Sequence, residues 1–366
     1  MYSPVAAQVA SKLDSLQTPR RSSIGVGVIG YGYWGPNLVR NFVETPGSEV
    51  IAVSDLNPQR LAQIESRYPM IQTTRDYRAL LENPRIDAVA VATPVSSHFP
   101  LALEALRAGK HVLVEKPLAA TTSQARRLIA EAAANERVLM VDHTFVYTGA
   151  VRKIKELVDG GQLGRLYYYD ATRINLGLFQ HDVDVLWDLA VHDLSIMDFI
   201  LGRLPNRVAA TGVAHIPGKP VNIAYLTCFW DDGLIAHIHA NWLAPVKLRR
   251  TLIGGDRKMI VYDDLEPSEK VKIYDKGVTV TNSSEGIYQM LVSYRTGDMW
   301  APQLSSVEGL RSEVLHFLDC IASGARPISD GQAGLRVLRV LEAASQSLAQ
   351  GGCPVQLSPG PAPELA

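Results

Sequence analysis

Cysteine is scarce in this chain: Cys228, Cys320 and Cys353 are the only three in 366 residues, far apart, odd in number and without metal-ligand spacing. That excludes a disulfide framework, argues against a cysteine-based metal site and fits a reducing, cytoplasmic compartment. An excess of charge of either sign is also missing. Lys and Arg number 36 against 37 Asp and Glu, a net charge of −1, so neither a dedicated nucleic-acid binder nor a strongly acidic disordered chain is indicated. No apolar stretch approaches the ~20 residues that cross a bilayer, so no membrane partner is expected. Residues 1–23 have no cationic start followed by an apolar core, and read as a polar, mobile leader rather than a secretory signal. What remains is 47% hydrophobic and long enough for two packed cores.

The most informative segment is Gly30-Tyr31-Gly32-Tyr33-Trp34-Gly35, entered from the apolar run Ile24 to Ile29. Glycines where a strand turns into a helix permit a tight turn, close approach of backbone to a pyrophosphate and close helix–strand packing. The helix start then offers free N–H donors to the phosphates, and Pro36 is compatible with that start. The next apolar stretch, from Val50, ends in Asp55, twenty residues past Gly35. A carboxylate there can accept both ribose hydroxyls of NAD and would repel the extra phosphate of NADP. Asp55 could also cap a helix beginning near Pro58. Gly30, Gly32, Tyr33, Trp34, Gly35 and Asp55 are thus the first cofactor-binding candidates.

Strand-like and helix-like stretches alternate from Ile24 to about Val146, which predicts a doubly wound parallel α/β domain over 24–146. A second region, 147–350, starts with a helix, passes a helix around Val185 to Leu201 and continues through strand-like runs near Val208, Ile223, Leu234, Leu252 and Met259. No regular helices interrupt these runs, so a largely antiparallel sheet is predicted, giving an α+β second domain. Helices return at Val307 to Ala322 and Ala333 to Leu348, placed to pack back on the first domain. A loose tail is expected over 351–366.

Two constellations carry chemistry. Val114-Glu115-Lys116-Pro117 closes a strand, so Lys116 falls at the carboxyl edge where open α/β sheets bind ligands. Desolvated beside a cationic nicotinamide, its pKa would fall toward ~7 to 8, where it can relay a proton. Glu115, Thr93, Pro94 and His98 are expected to border the same mouth, although His98 also fits an ordinary loop histidine. In Trp187-Asp188-Leu189-Ala190-Val191-His192, positions four apart on a helix share a face. Asp188 and His192 can therefore meet one substrate, the imidazole as proton acceptor and the carboxylate as a hydroxyl ligand.

The Gly30-to-Gly35 fingerprint, Thr93-Pro94 with His98, Glu115-Lys116-Pro117 and the Asp188/His192 spacing together resemble the Gfo/Idh/MocA oxidoreductases over about residues 24 to 350. The resemblance implies a Rossmann domain and an open-sheet α/β domain used for homodimer or homotetramer contacts. It also implies NAD(P)-linked oxidation or reduction of a sugar or cyclitol hydroxyl, with Lys116 and His192 in the active site; Asp188 is expected to complete the catalytic set by positioning the sugar. Within the family the chain is most similar to nucleotide-sugar members that oxidise carbon 3 of a UDP-sugar uronate, as in polysaccharide biosynthesis. Inositol and free-sugar dehydrogenases, and a non-catalytic NAD-binding regulator, are the alternatives. One departure stands out: Asp142-His143-Thr144-Phe145-Val146-Tyr147 occupies the place of a glycine and an arginine-rich stretch in many members. Arg173, Asn175, Lys247 and Arg249 are candidate ligands for a diphosphate or uronate, with solvated or interface ion pairs as the alternative. His237 and His239 alternate on one strand face, yet no further ligands follow at metal spacing, so no metal is expected.

Overall fold

In a computed structural model, residues 23–177, 183–280 and 292–357 are described. Most of the expected leader and the last part of the expected tail lie outside them.

Six strands, β1 (Ile24–Ile29), β2 (Ser48–Ser54), β3 (Gln72–Thr74), β4 (Ala88–Val91), β5 (His111–Glu115) and β6 (Leu139–Asp142), form one parallel sheet. Its order is β3-β2-β1-β4-β5-β6, so the direction of winding reverses between β1 and β4. That reversal opens the crevice in which doubly wound sheets take their ligands. Every residue of β4 is buried, as a strand covered by helices on both faces requires. The helix after β1 runs Gly35–Glu44 with Pro36 in its first turn, and the helix after β5 runs Thr122–Ala134, capped by the Thr121 side chain.

Nine strands form the second sheet: β7 (Leu166–Leu176), β8 (Arg207–Val213), β9 (Ile223–Phe229), β10 (Ile235–Asn241), β11 (Leu243–Gly255), β12 (Met259–Asp263), β13 (Val271–Val280), β14 (Val292–Trp300) and β15 (Val355–Gln356). In the order β14-β13-β12-β11-β7-β10-β9-β8-β15, every pairing is antiparallel except β7 with β10. Period-two alternation gives β9 and β10 a buried face of Ala224, Leu226, Cys228, Ala236, Ile238 and Ala240. On the opposite face Tyr225 stacks on His239 and His237, with ring centroids 4.5 and 5.9 Å apart. The two histidines therefore pair with an aromatic ring, and His237 also approaches Asp170 at 3.9 Å.

The closing helices tie the two sheets together. In helix Gly309–Ser323, Phe317 meets Phe42 edge-on. Helix Gly331–Ala349 starts on an Asp330 cap and runs so close to the first sheet that a Cβ on Gly334 would lie 2.8 Å from Val141. At its other end Ser347 accepts from the Ala210 amide of β8. The tail is not loose from 351 onward, because Val355 and Gln356 add an edge strand to β8. The helix expected from Val185 to Leu201 is divided: Leu186–Ala190 is a π-helical turn, and the α-helix proper is Val191–Leu201. Such turns are frequent at functional sites.

Candidate functional site

The fingerprint is built as a phosphate-binding turn. Gly30 has φ +98°, and a Cβ there would lie 2.4 Å from the Ala92 carbonyl oxygen. A Cβ on Gly35 would stand 2.3 Å from the Gly30 carbonyl oxygen, so this strand–helix contact admits only glycine. No side chain caps the helix that follows, which leaves its first N–H groups available to an anion. Tyr33 is exposed, while the indole of Trp34 turns inward and donates to Asp142 Oδ2 at 2.7 Å.

Asp55 ends β2 at the expected place. Its carboxylate accepts the amides of Tyr31 (2.7 Å) and Asn57 (2.8 Å) and meets Arg60 Nη1 at 3.3 Å. The alternative expected for it is corrected here: Asn57, not Asp55, caps helix Pro58–Arg67. Thr93 and Pro94 follow β4, and Pro94 precedes helix Val95–Arg107. His98 is buried with both ring nitrogens engaged, one with the Pro117 carbonyl oxygen and one with that of Thr93. It joins the loop after β4 to the loop after β5, and so shapes the mouth through backbone that it holds.

At the end of β5, Lys116 reaches across to the second region. Its ammonium donates to the Asp188 carbonyl oxygen at 3.0 Å and lies 3.3 Å from Asp188 Oδ1. The other carboxylate oxygen of Asp188 accepts the Trp242 indole N–H at 3.1 Å. One turn further, the His192 ring meets Phe145 edge-on at 5.1 Å. Its Nδ1 is buried without a partner. Burial drives the imidazole well below its ordinary pKa, and the charges of Lys116, Arg173 and Arg249 push the same way. The residue is a neutral imidazole ringed by cations.

Two of the four residues expected to bind substrate stand near it. Arg173, on β7, is buried and forms a two-pronged ion pair with Asp193 at 2.8 and 3.0 Å, its guanidinium 4.5 Å from the Phe145 centroid. Arg249, on β11, lies over the same ring at 5.6 Å and pairs with Asp264 at 3.1 Å, with 32% of its side chain exposed. The expectation for Arg173 thus meets a buried ion pair, while Arg249 keeps a face to solvent. Asn175 is half-buried further along β7, and Lys247 is exposed on β11. Among the described residues no group of three or more His, Cys, Asp or Glu is arranged to hold a metal.

Trp242, Phe145, Asp193 and Asp142 were not singled out from sequence as parts of the site. The signal for Trp242 was weak but present, an aromatic with a polar end closing an apolar strand. Phe145 and Asp142 lie in the one segment that departs from the expected family pattern.

Comparisons with known proteins cover nearly all of this architecture. The Gfo/Idh/MocA model described as an oxidoreductase-family NAD-binding Rossmann fold matches residues 24–143, and the model of the corresponding C-terminal alpha/beta domain matches 155–357. The UDP-N-acetylglucosamine 3-dehydrogenase of Acidithiobacillus ferrooxidans is 29% identical over 85% of this chain and 93% of its own length. Its solved structure superposes with a TM-score of 0.75 over 90% of this chain and 99% of that one, at 27% identity. The scyllo-inositol 2-dehydrogenase (NAD(+)) of Bacillus subtilis is 24% identical over 92% of this chain and 96% of its own.

Proposed function

The chain belongs to the Gfo/Idh/MocA oxidoreductase family, and from that premise we propose that it is an NAD-dependent dehydrogenase of a ring hydroxyl on a nucleotide-linked, negatively charged sugar. Gly30, Gly32, Gly35 and Asp55 fit NAD: two glycines are required by local packing, the helix start is uncapped, and Asp55 closes β2, a position from which a carboxylate can accept ribose hydroxyls. When bound, NAD supplies the hydride acceptor.

The observation that carries the reading is that Lys116, from the first sheet, bonds to Asp188 of the second region, one turn before His192, whose imidazole feels the charge of Lys116. Neutral His192 takes the hydroxyl proton, because an imidazole denied its charge at rest keeps a free nitrogen for it. The Lys116 ammonium steadies the negative charge that develops on the sugar oxygen. Asp188, held by Lys116 and Trp242, orients a neighbouring hydroxyl. Support for a charged substrate comes from Arg249, half-exposed on the same aromatic ring, and from the similarity to the UDP-N-acetylglucosamine dehydrogenase. A homodimer or homotetramer formed through the nine-stranded sheet belongs to the same proposal.

The test is turnover of NAD with a panel of UDP-linked sugars and uronates, inositols and free sugars, followed by absorbance of the reduced cofactor. Anionic nucleotide sugars are expected to turn over best. Lys116→Ala and His192→Asn should each lower turnover by about 100-fold or more while NAD binding persists. Inositol turning over with equal ease would remove the charged-substrate reading. Tight NAD binding without turnover of any member would favour the regulator.

A further inference from the structure

Behind Lys116 lies a group of carboxyls that the proposed reaction does not use. Glu115 and Asp142 are register partners at the ends of β5 and β6, so their side chains project on the same side of the sheet. Glu115 is half-buried and Asp142 is 2% exposed. Glu313, on helix Gly309–Ser323, is fully buried and faces both, and no cation pairs with its carboxyl. Only Asp142 is well supplied with donors: Trp34 Nε1 from the fingerprint loop, and the Thr144 hydroxyl. The neighbouring cation, Lys116, is bonded to Asp188 instead.

Three carboxyls in mutual reach with so few donors cannot all be ionised near neutral pH. At least one proton stays with the group. Burial and the neighbouring Asp142 hold Glu115 and Glu313 well above the usual carboxylate range. Two titratable groups packed beside them keep one charge state near neutrality. Burial pushes His143 down to about 4, and burial together with Glu313 pushes the Tyr147 hydroxyl far upward. The group is joined at one side to the phosphate-binding loop through Trp34 and at the other to Lys116 through the peptide after Glu115.

We propose that Glu115, Asp142 and Glu313 form a proton-holding site coupled to the charge of the nicotinamide, which surrenders its proton when the oxidised, cationic cofactor binds and keeps it when the reduced, neutral one does. This rests on NAD binding along this edge and not on the identity of the substrate. The physical basis is elementary: a positive ring beside the group favours its ionised form, whereas a neutral ring has no such preference. Asp142 opens the segment Asp142 to Tyr147, which departs from the pattern of many family members.

Calorimetry of NAD+ and NADH binding in two buffers of different ionisation enthalpy counts the protons exchanged, with no substrate present. NAD+ should release more protons per site than NADH, and its Kd should fall as pH rises while that of NADH stays within about 2-fold. Glu313→Gln and Asp142→Asn each take one acid out of the group, so the difference between the cofactors should shrink or vanish. A purely structural role would lower the melting temperature of these variants and leave the proton difference as in the wild type. Equal proton counts for NAD+ and NADH on the wild type, which needs no variant to fold, would overturn the proposal. So would variants that bind NAD+ and keep the wild-type difference. Failure to bind either nucleotide would strike the cofactor reading itself.

Discussion

On the wall formed by the six-stranded sheet the cleft is shaped by backbone. Gly30 and Gly35 leave no room for a Cβ, which would lie 2.4 and 2.3 Å from carbonyl oxygens, Asp55 holds two amides, and His98 holds two carbonyls. On the wall formed by the nine-stranded sheet it is shaped by charged side chains from the neighbouring strands β7 and β11, Arg173 paired with Asp193 and Arg249 with Asp264. The first wall suits a cofactor whose phosphates and riboses are always the same. The second can be retuned by exchanging side chains without disturbing the sheet, as a family with differing substrates requires. A change on the first wall should act through fit, and one on the second through unpaired charge.

Arg173→Ala is the strongest way to break that contrast. It leaves the Asp193 carboxylate, 4% exposed, without its partner, and an orphaned buried charge costs about 3–5 kcal/mol. Urea denaturation should show that loss. A stable variant impaired only in KM would mean that Arg173 serves the substrate and not the fold.

His143, which directly follows β6, tests whether the first wall is also sensitive to charge. Burial lowers its pKa to about 4, while in the unfolded chain it titrates near 6.5. As pH falls from about 6.5 to 4 the unfolded state takes up a proton that the folded state refuses, so stability present above 6.5 is lost across that window. The contribution is about 3 kcal/mol. His143→Phe should remove this part of the acid lability, seen as a smaller fall in denaturation free energy between pH 7 and 4. An unchanged fall would show that His143 is not the group responsible.

The same contrast governs what could be read in the sequence. On the first wall the glycine turn, Asp55, Thr93-Pro94 and Lys116 were legible as strand ends, because glycine, proline or a terminal acid announces each within a few positions, whereas Asp142 at the end of β6 was not. Lys116 and the Asp188/His192 pair were legible for the same local reason, though a π-helical turn replaces the regular helix at Asp188. The partners on the second wall were not. Arg173 finds Asp193 across 20 residues, Trp242 finds Asp188 across 54, and Lys116 finds Asp188 across 72. Packing of the π-helical turn and the helix after it against the strands makes these meetings, and no spacing in the chain encodes them. Glu313 was invisible altogether, since a lone glutamate on an amphipathic helix reads as a solvated residue until the packing buries it.

Arg249 sharpens the comparison at the smallest scale, because it shares the Phe145 ring with Arg173 yet differs in what it leaves behind. Its partner Asp264 also meets Lys270 at 3.6 Å and accepts the Tyr262 hydroxyl at 3.2 Å. Removing the guanidinium therefore strands no charge, and with a third of the side chain exposed the stability change in Arg249→Gln should stay below about 1 kcal/mol. A charge-assisted hydrogen bond to an anionic substrate is a different matter: its loss should raise KM about 10-fold with kcat nearly unchanged. Added salt should weaken wild-type binding and affect the variant less. The decisive comparison is between an anionic and a neutral sugar. If KM for both rises equally, Arg249 is packing the Phe145 ring and not reading charge, and the second wall would then owe its substrate preference to shape, as the first does.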